Sequence, residues 1–158
     1  MPQRKAALRR LSYGVYVLSA RREDESGVFT QSAMTVRQVS QVSTRPLCVS
    51  VSVAKRRHTH DFLGVGGAFA LSILGRGQEL LGGHFGLSSG RDRDKFAGLD
   101  WTSGQSGAPI LKECCAFLEC RIIGAHEVGN STLFIGEVIH AETFDNTPLL
   151  YRESDYFG

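Results

Sequence analysis

Apolar and polar residues alternate most strictly over residues 46–53 (PLCVSVSV). Val49, Val51 and Val53 fall on one face and Ser50 and Ser52 on the other, which predicts a strand with one buried side. Residues 11–20 (LSYGVYVLSA) are apolar on both faces and stop at the charged run 21–25 before Gly27. That reads as a strand followed by a turn. Residues 68–74 (AFALSIL), 116–123 (AFLECRII) and 132–141 (TLFIGEVIHA) are further short β-rich runs bounded by glycine or polar residues, so five or six strands are expected. Helical signals are fewer. Thr59 stands before His60, Asp61, Phe62 and Leu63 as the cap of a short helix ending near Gly64, and residues 78–85 form a second candidate before Gly86. Strands not separated by long helices favour an antiparallel barrel with helices packed at its ends over a doubly wound parallel sheet.

Length and charge narrow the classes. A chain of 158 residues is enough for one well-packed domain, and no internal repeat or linker divides it, so residues 1–158 are expected to fold as a single unit. At 42% hydrophobic and 22% charged residues it has the composition of a soluble globular protein. No apolar run approaches the roughly 20 residues that span a bilayer, and the start MPQRKAALRR lacks the apolar stretch of a signal peptide. A cytoplasmic protein without a membrane partner is expected. Eighteen Lys+Arg against 16 Asp+Glu leaves a formal charge of +2, far from the excess of a dedicated nucleic-acid binder, so no nucleic-acid partner is expected. Cys48, Cys114, Cys115 and Cys120 contain no Cys-x-x-Cys and read as reduced thiols.

Three segments could carry chemistry. Lys55, Arg56, Arg57, His58, Thr59 and His60 follow the 46–53 strand at the start of a short helix, where free N–H groups, guanidinium and hydroxyl could cradle a phosphate. The plainer reading is a solvated basic loop. Residues 88–96 (SSGRDRDKF) could meet an anion too, or Arg91, Arg93 and Lys95 could pair with Asp92 and Asp94. Residues 33–43 (AMTVRQVSQVS) are dense in Ser, Thr and Gln; such a strand face usually meets water, but inside a barrel mouth it could hydrogen-bond a flat heterocycle. The five histidines form no ligand spacing, so no metal is expected. Gly-x-Gly-x-x-Gly does not occur, and no Ser or Cys can be matched to a particular His and acid from the sequence, so an enzyme reading must rest on a borrowed cofactor.

In this order the three segments resemble the flavin reductase-like, FMN-binding split-barrel family, and its flavoredoxin branch in particular. The likeness runs through residues 8–18 (LRRLSYGVYVL), 33–36 (AMTV), 41–43 (QVS) with Pro46, Thr59-His60, and 90–92 (GRD) with 94–98 (DKFAG). It continues through 107–111 (GAPIL), 118–120 (LEC) and 132–138 (TLFIGEV). The resemblance implies an all-β to α+β fold, a six-stranded antiparallel Greek-key split barrel with short flanking helices, working as a homodimer with FMN near the subunit seam. It implies an oxidoreductase passing electrons from NAD(P)H through FMN to a flavin or an electron-carrier protein. The alternatives are an electron-transfer flavoprotein reduced by a protein partner and a non-catalytic flavin-binding dimeric module.

On matching positions the resemblance puts Thr35, Val36 and Arg37 along the isoalloxazine and ribityl region. Ser52, Arg57, His58 and Thr59 would gather round the phosphate, and Phe85, Arg91 and Lys95 would belong to the loop closing over the cofactor. Two departures stand out. Arg37 and Gln38 replace the small polar residue and the aromatic usual in relatives, so that a guanidinium either faces the N1–O2 edge of the flavin, points to solvent or pairs with an acid across the dimer. Gly129-Asn130-Ser131-Thr132 stands where relatives often read Gly-Asp-His-Thr, and the missing His, usually placed near the nicotinamide, favours the electron-transfer alternative slightly.

Overall fold

The computed structural model describes residues 2–87 and 95–153. In chain order its elements are α1 (Pro2–Leu8), β1 (Tyr16–Glu23), β2 (Phe29–Val36), β3 (Val39–Thr44), β4 (Leu47–Ala54), a 3-10 turn (His58–Phe62), β5 (Ala68–Ile73) and α2 (Glu79–Gly86). These are followed by β6 (Trp101–Ser103), β7 (Pro109–Leu111), β8 (Ala116–Val128) and β9 (Ser131–Thr143).

Seven strands form one antiparallel sheet in the order β2-β1-β5-β8-β9-β4-β3, and β6 pairs with β7 separately. Topology forces this sheet to curl. β2 and β3 lie at opposite edges, yet only Arg37 and Gln38 separate them, and three Cα steps reach roughly 11 Å at most. The edges therefore meet at this corner, where the Ser52 N–H donates to the Gln38 carbonyl at 3.2 Å and carries the β3–β4 pairing into the connection. The result is the expected split barrel, with seven strands in its sheet instead of six because the polar segment 33–43 supplies both the end of β2 and the edge strand β3.

Alternation assigns the faces. Leu18, Met34, Val36, Val49, Val51, Val53, Phe69, Leu71, Cys120, Ile122 and Phe134 fill the barrel. Gly136 is needed among them, since a Cβ there would stand 2.6 Å from the Phe69 ring and 2.8 Å from Cys120 Cβ. Val15, Val17 and Ala33 belong to a second buried cluster with Leu74, Phe85, Phe96, Leu111 and Leu149. This explains why residues 11–20 read as apolar on both faces. One side of β1 fills the barrel and the other lies in a core containing α2 and the C-terminal segment.

Three boundaries differ from the sequence expectation. β1 begins at Tyr16 and runs through the charged residues to Glu23, because Arg21 and Arg22 lay their guanidinium groups on the rings of Phe29 and Phe62 at 4.0 and 4.4 Å. β8 and β9 are 13 residues each, longer than the runs read from the sequence, and β8 ends in a largely exposed stretch whose polar residues gave no burial pattern. α1 escaped notice because none of its residues is buried.

Candidate cofactor cavity

The strict alternation of β4 sends its valines into the barrel and Ser52 to the outer face, so the hydroxyls work outside the barrel and not within its mouth. A cavity of about 330 Å³ opens there, at the corner where the sheet closes. Its wall comes from Met34, Thr35, Val36, Arg37 and Gln38 of β2 and the corner, Ser52, Ala54, Arg56 and Arg57 of β4 and its exit, Gly82, Gly86 and Leu87 of α2, with Ser131 and Tyr151.

Helix α2 approaches β2 closely because it carries glycine at 82 and 86, four residues apart and so on one face. A Cβ on Gly86 would meet Thr35 Cβ at 3.2 Å. The helix presents its C-terminal end to the cavity, and carbonyls there are occupied: Thr35 Oγ1 donates to Gly82 O at 2.6 Å and Arg57 Nη1 to Gly86 O at 3.3 Å. The other terminal nitrogen of Arg57, Nη2, is buried without a hydrogen-bond partner. Burial, with Arg56 beside it, lowers the Arg57 pKa from the usual arginine value, and the guanidinium nevertheless stays charged. A buried cationic donor left over at a cavity wall is ready to donate to a phosphate oxygen.

Five residues expected from the sequence thus line one cavity: Thr35, Val36, Arg37, Ser52 and Arg57. Four others do not. Thr59 is not a helix cap: Arg57 occupies the cap position without a side-chain bond, and Thr59 sits inside the 3-10 turn, 1% exposed, its hydroxyl 2.8 Å from Ser32 Oγ. A phosphate cradle at a helix N-terminus is therefore not built here, since the turn is only five residues long. His58 packs edge-on against Phe62 with ring centroids 5.1 Å apart and lines a separate cavity with Arg22 and Lys95. Phe85 is fully buried against Phe96, centroids 5.5 Å apart. Lys95 is 4% exposed, and its Nζ donates to Ala33 O at 3.1 Å and Phe85 O at 2.9 Å, which ties β2 to α2. Arg91 lies outside the described residues.

Reasoning from the sequence missed Ala54, Gly82, Gly86, Leu87 and Tyr151 as wall residues, while Met34 and Arg56 stood within the segments singled out. The Gly82/Gly86 spacing on a helix was the available signal for two of them. Ser131, noticed only as a substitution, pairs with Ala54 across β9 and β4 and so reaches the same wall. The Arg37 guanidinium carbon lies 4.6 Å from the Tyr151 ring centroid and 5.4 Å from that of Tyr13, and among the described residues of this chain no carboxylate pairs with it. Among the described residues no group of three or more His, Cys, Asp or Glu could hold a metal ion. All four cysteines are free and buried, and desolvation pushes Cys114 up to about 11 and Cys120 to about 12.

These surroundings suit FMN. The volume falls in the range of small-molecule sites, Leu87 and Tyr151 offer apolar surface, and Arg56 and Arg57 offer positive charge with one buried donor unspent. A curled antiparallel sheet with such a cavity on its outer face is a split barrel of the flavin reductase type. Residues 8–158 match the flavin reductase like domain, and the chain belongs to that family.

The chain is 33% identical over 148 residues to the high molecular weight rubredoxin of Moorella thermoacetica, covering 92% of this chain and 62% of that protein. It is 34% identical over 118 residues to the FMN reductase (NADH) SmoA of Agrobacterium fabrum, covering 75% of this chain and 66% of that one. Against both relatives it spans less than two thirds of their length by a small margin. Among solved structures, the NADH:FAD oxidoreductase SgcE6 of Streptomyces globisporus C-1027 superposes with a TM-score of 0.82 at 32% identity, over 96% of this chain and 90% of that one.

Proposed function

We propose that this protein is an FMN-dependent oxidoreductase that takes electrons from NAD(P)H and delivers them to a free flavin or a carrier protein. The observation that carries the reading is the Arg57 guanidinium, half of it bonded to the end of α2 and half buried at the cavity wall without a partner. The flavin, when bound, supplies the two-electron chemistry. The chain's own residues bind and orient. Arg57 and Arg56 hold the phosphate, Thr35 is fixed by Gly82 with its backbone along the cavity, and the Arg37 cation stabilises negative charge on the ring system.

The reading extends to the whole assembly. The chain acts as a single domain and as a homodimer in the cytoplasm. Leu80 is 91% exposed and Leu87 58% exposed at the two ends of the helix beside the cavity, apolar surface that a second copy would cover. Four free cysteines accord with a reducing compartment, and among the described residues no helix is long and apolar enough to cross a membrane. Sedimentation at micromolar concentration checks the dimer; a monomer that still holds FMN tightly contradicts it.

Purified protein should show a flavin absorbance spectrum after incubation with FMN, and anaerobic NADH or NADPH should bleach it rapidly. Ser131 supports the one competing reading, electron transfer from a protein donor, because it brings a hydroxyl and no imidazole to the cavity wall. Bound flavin that neither nicotinamide bleaches, but a reduced carrier protein does, decides for that competitor.

A further inference from the structure

Arg37 occupies the two-residue connection at which the barrel closes. Among the described residues no carboxylate pairs with it, and its neighbours are the rings of Tyr151 at 4.6 Å and Tyr13 at 5.4 Å. A guanidinium stacked flat on ring faces leaves its edge, where the N–H donors point, for another partner. Arg37 and Tyr151 both line the cavity.

Tyr151 is held there by a built arrangement. The C-terminal segment is laced to the start of β1 and the end of β5: Arg76 N donates to Thr147 O at 2.8 Å, Leu149 N to Leu74 O at 2.9 Å, and Tyr151 N to Tyr13 O at 2.9 Å. Leu149, 7% exposed, plugs the segment into the second core. The two rings that flank Arg37 are thus tied to each other by a backbone hydrogen bond, although they come from opposite ends of the chain.

We propose that Tyr13 and Tyr151 are positioning residues that stack the Arg37 guanidinium at the cavity wall, so that its N–H edge donates to an oxygen-bearing edge of the bound flavin. The C-terminal segment then forms part of the cofactor site. This inference rests on the flavin reading of the cavity. A stacked arginine has already given up rotamer freedom that a loose one would lose on binding, so the rings favour affinity without touching the donors.

Two measurements test it. In the flavin-free protein, the Arg37 Nε–Hε resonance should carry a ring-current shift that Tyr151→Leu reduces and Tyr151→Phe, which keeps the ring, restores. In flavin-fluorescence titrations, Tyr151→Leu should weaken FMN binding about threefold to tenfold, the range of a partly desolvated cation–π contact, with Tyr151→Phe recovering the affinity. In an Arg37→Ala background the same Tyr151→Leu change should have no further effect. If Tyr151→Leu does not fold, Tyr13→Leu replaces it for both measurements. An Arg37 resonance indifferent to loss of the ring overturns the stacking, and equal weakening with and without Arg37 overturns the positioning role. A wild-type protein that takes up no FMN overturns the flavin reading alone, and the resonance still decides whether the rings hold Arg37.

Discussion

Lys95 and Arg57 donate to neighbouring carbonyls at the end of α2, Phe85 O at 2.9 Å and Gly86 O at 3.3 Å, and both were expected from the sequence to serve a cofactor. Their circumstances are otherwise opposite. Lys95 is 4% exposed and gives a second donor to Ala33 O, so its charge fastens β2 to α2 from within. Arg57 reaches one carbonyl and leaves Nη2 buried without a hydrogen-bond partner, in a residue that lines the cavity. A run of basic residues cannot distinguish these cases, because the distinction lies in what the backbone consumes. A cation whose donors are spent on carbonyls is part of the fold; a cation with a buried donor to spare is a candidate to hold a ligand.

The largest effect should come from the fold's cation. Lys95→Met keeps much of the volume but strands two buried carbonyls, and at about 1.5 to 3 kcal/mol for each charge-assisted bond the loss should be about 3 kcal/mol or more. Urea unfolding measures it. A stability loss under about 1 kcal/mol with a sharp fall in FMN affinity would break the comparison, by showing that Lys95 serves the ligand after all.

Next comes the site's cation. Arg57→Gln, which gives up one longer bond to Gly86 O, should cost less stability than Lys95→Met while weakening FMN binding about tenfold to a hundredfold, the worth of one well-formed charge-assisted phosphate contact. Riboflavin, which lacks the phosphate, should bind wild type and variant alike. If both ligands lose affinity equally, Arg57 holds the ring and not the phosphate, and the assignment of ends within the cavity reverses.

Thr59 is the uncharged counterpart of Lys95. Its hydroxyl, 1% exposed, meets Ser32 Oγ at 2.8 Å and joins the 3-10 turn to β2. Thr59→Val should cost about 1 kcal/mol with FMN affinity intact, and Ser32→Ala added to it should cost less than it does alone, since the pair is already broken. Additive losses would mean that the two hydroxyls do not depend on each other.

How much of this was legible depended on distance along the chain. The β4 strand was plain because Val49, Val51 and Val53 alternate with serines locally, and that same alternation placed Ser52 on the cavity side. Residues 78–85 gave α2 almost to the residue. The far half of β8 was illegible because its last residues are mostly exposed, so no periodic burial marks the sequence there. Thr59 was misread as a cap because a threonine before a short helix looks the same whether its hydroxyl turns to the helix or to Ser32. Arg37's partners were beyond reach: Tyr151 is brought to it by a lacing of backbone hydrogen bonds, which side-chain patterns do not encode.

The smallest effect should fall on a group that is satisfied but exposed, which separates satisfaction from burial. Asp24 Oδ1 in the β1–β2 turn accepts from Ser26 N at 2.9 Å, Ser26 Oγ at 2.7 Å and Val28 N at 2.9 Å. Chiefly through the Ser26 hydroxyl, and then the Val28 N–H, the pKa of this carboxyl is held below its ordinary value. The folded state therefore binds its proton less readily than the unfolded one, so the contribution is complete above the unfolded value of about 3.9 and disappears as the pH falls through the lower folded value. Water screens these bonds as it does not screen those of Lys95. Asp24→Asn should accordingly shift the thermal midpoint at neutral pH by less than Thr59→Val does, and the gap between wild type and variant should close as melts are repeated from pH 5 down to pH 2. A gap as large as that of Lys95→Met would show that satisfied hydrogen bonds stabilise this fold regardless of burial, and the contrast between Lys95 and Arg57 would then need another cause.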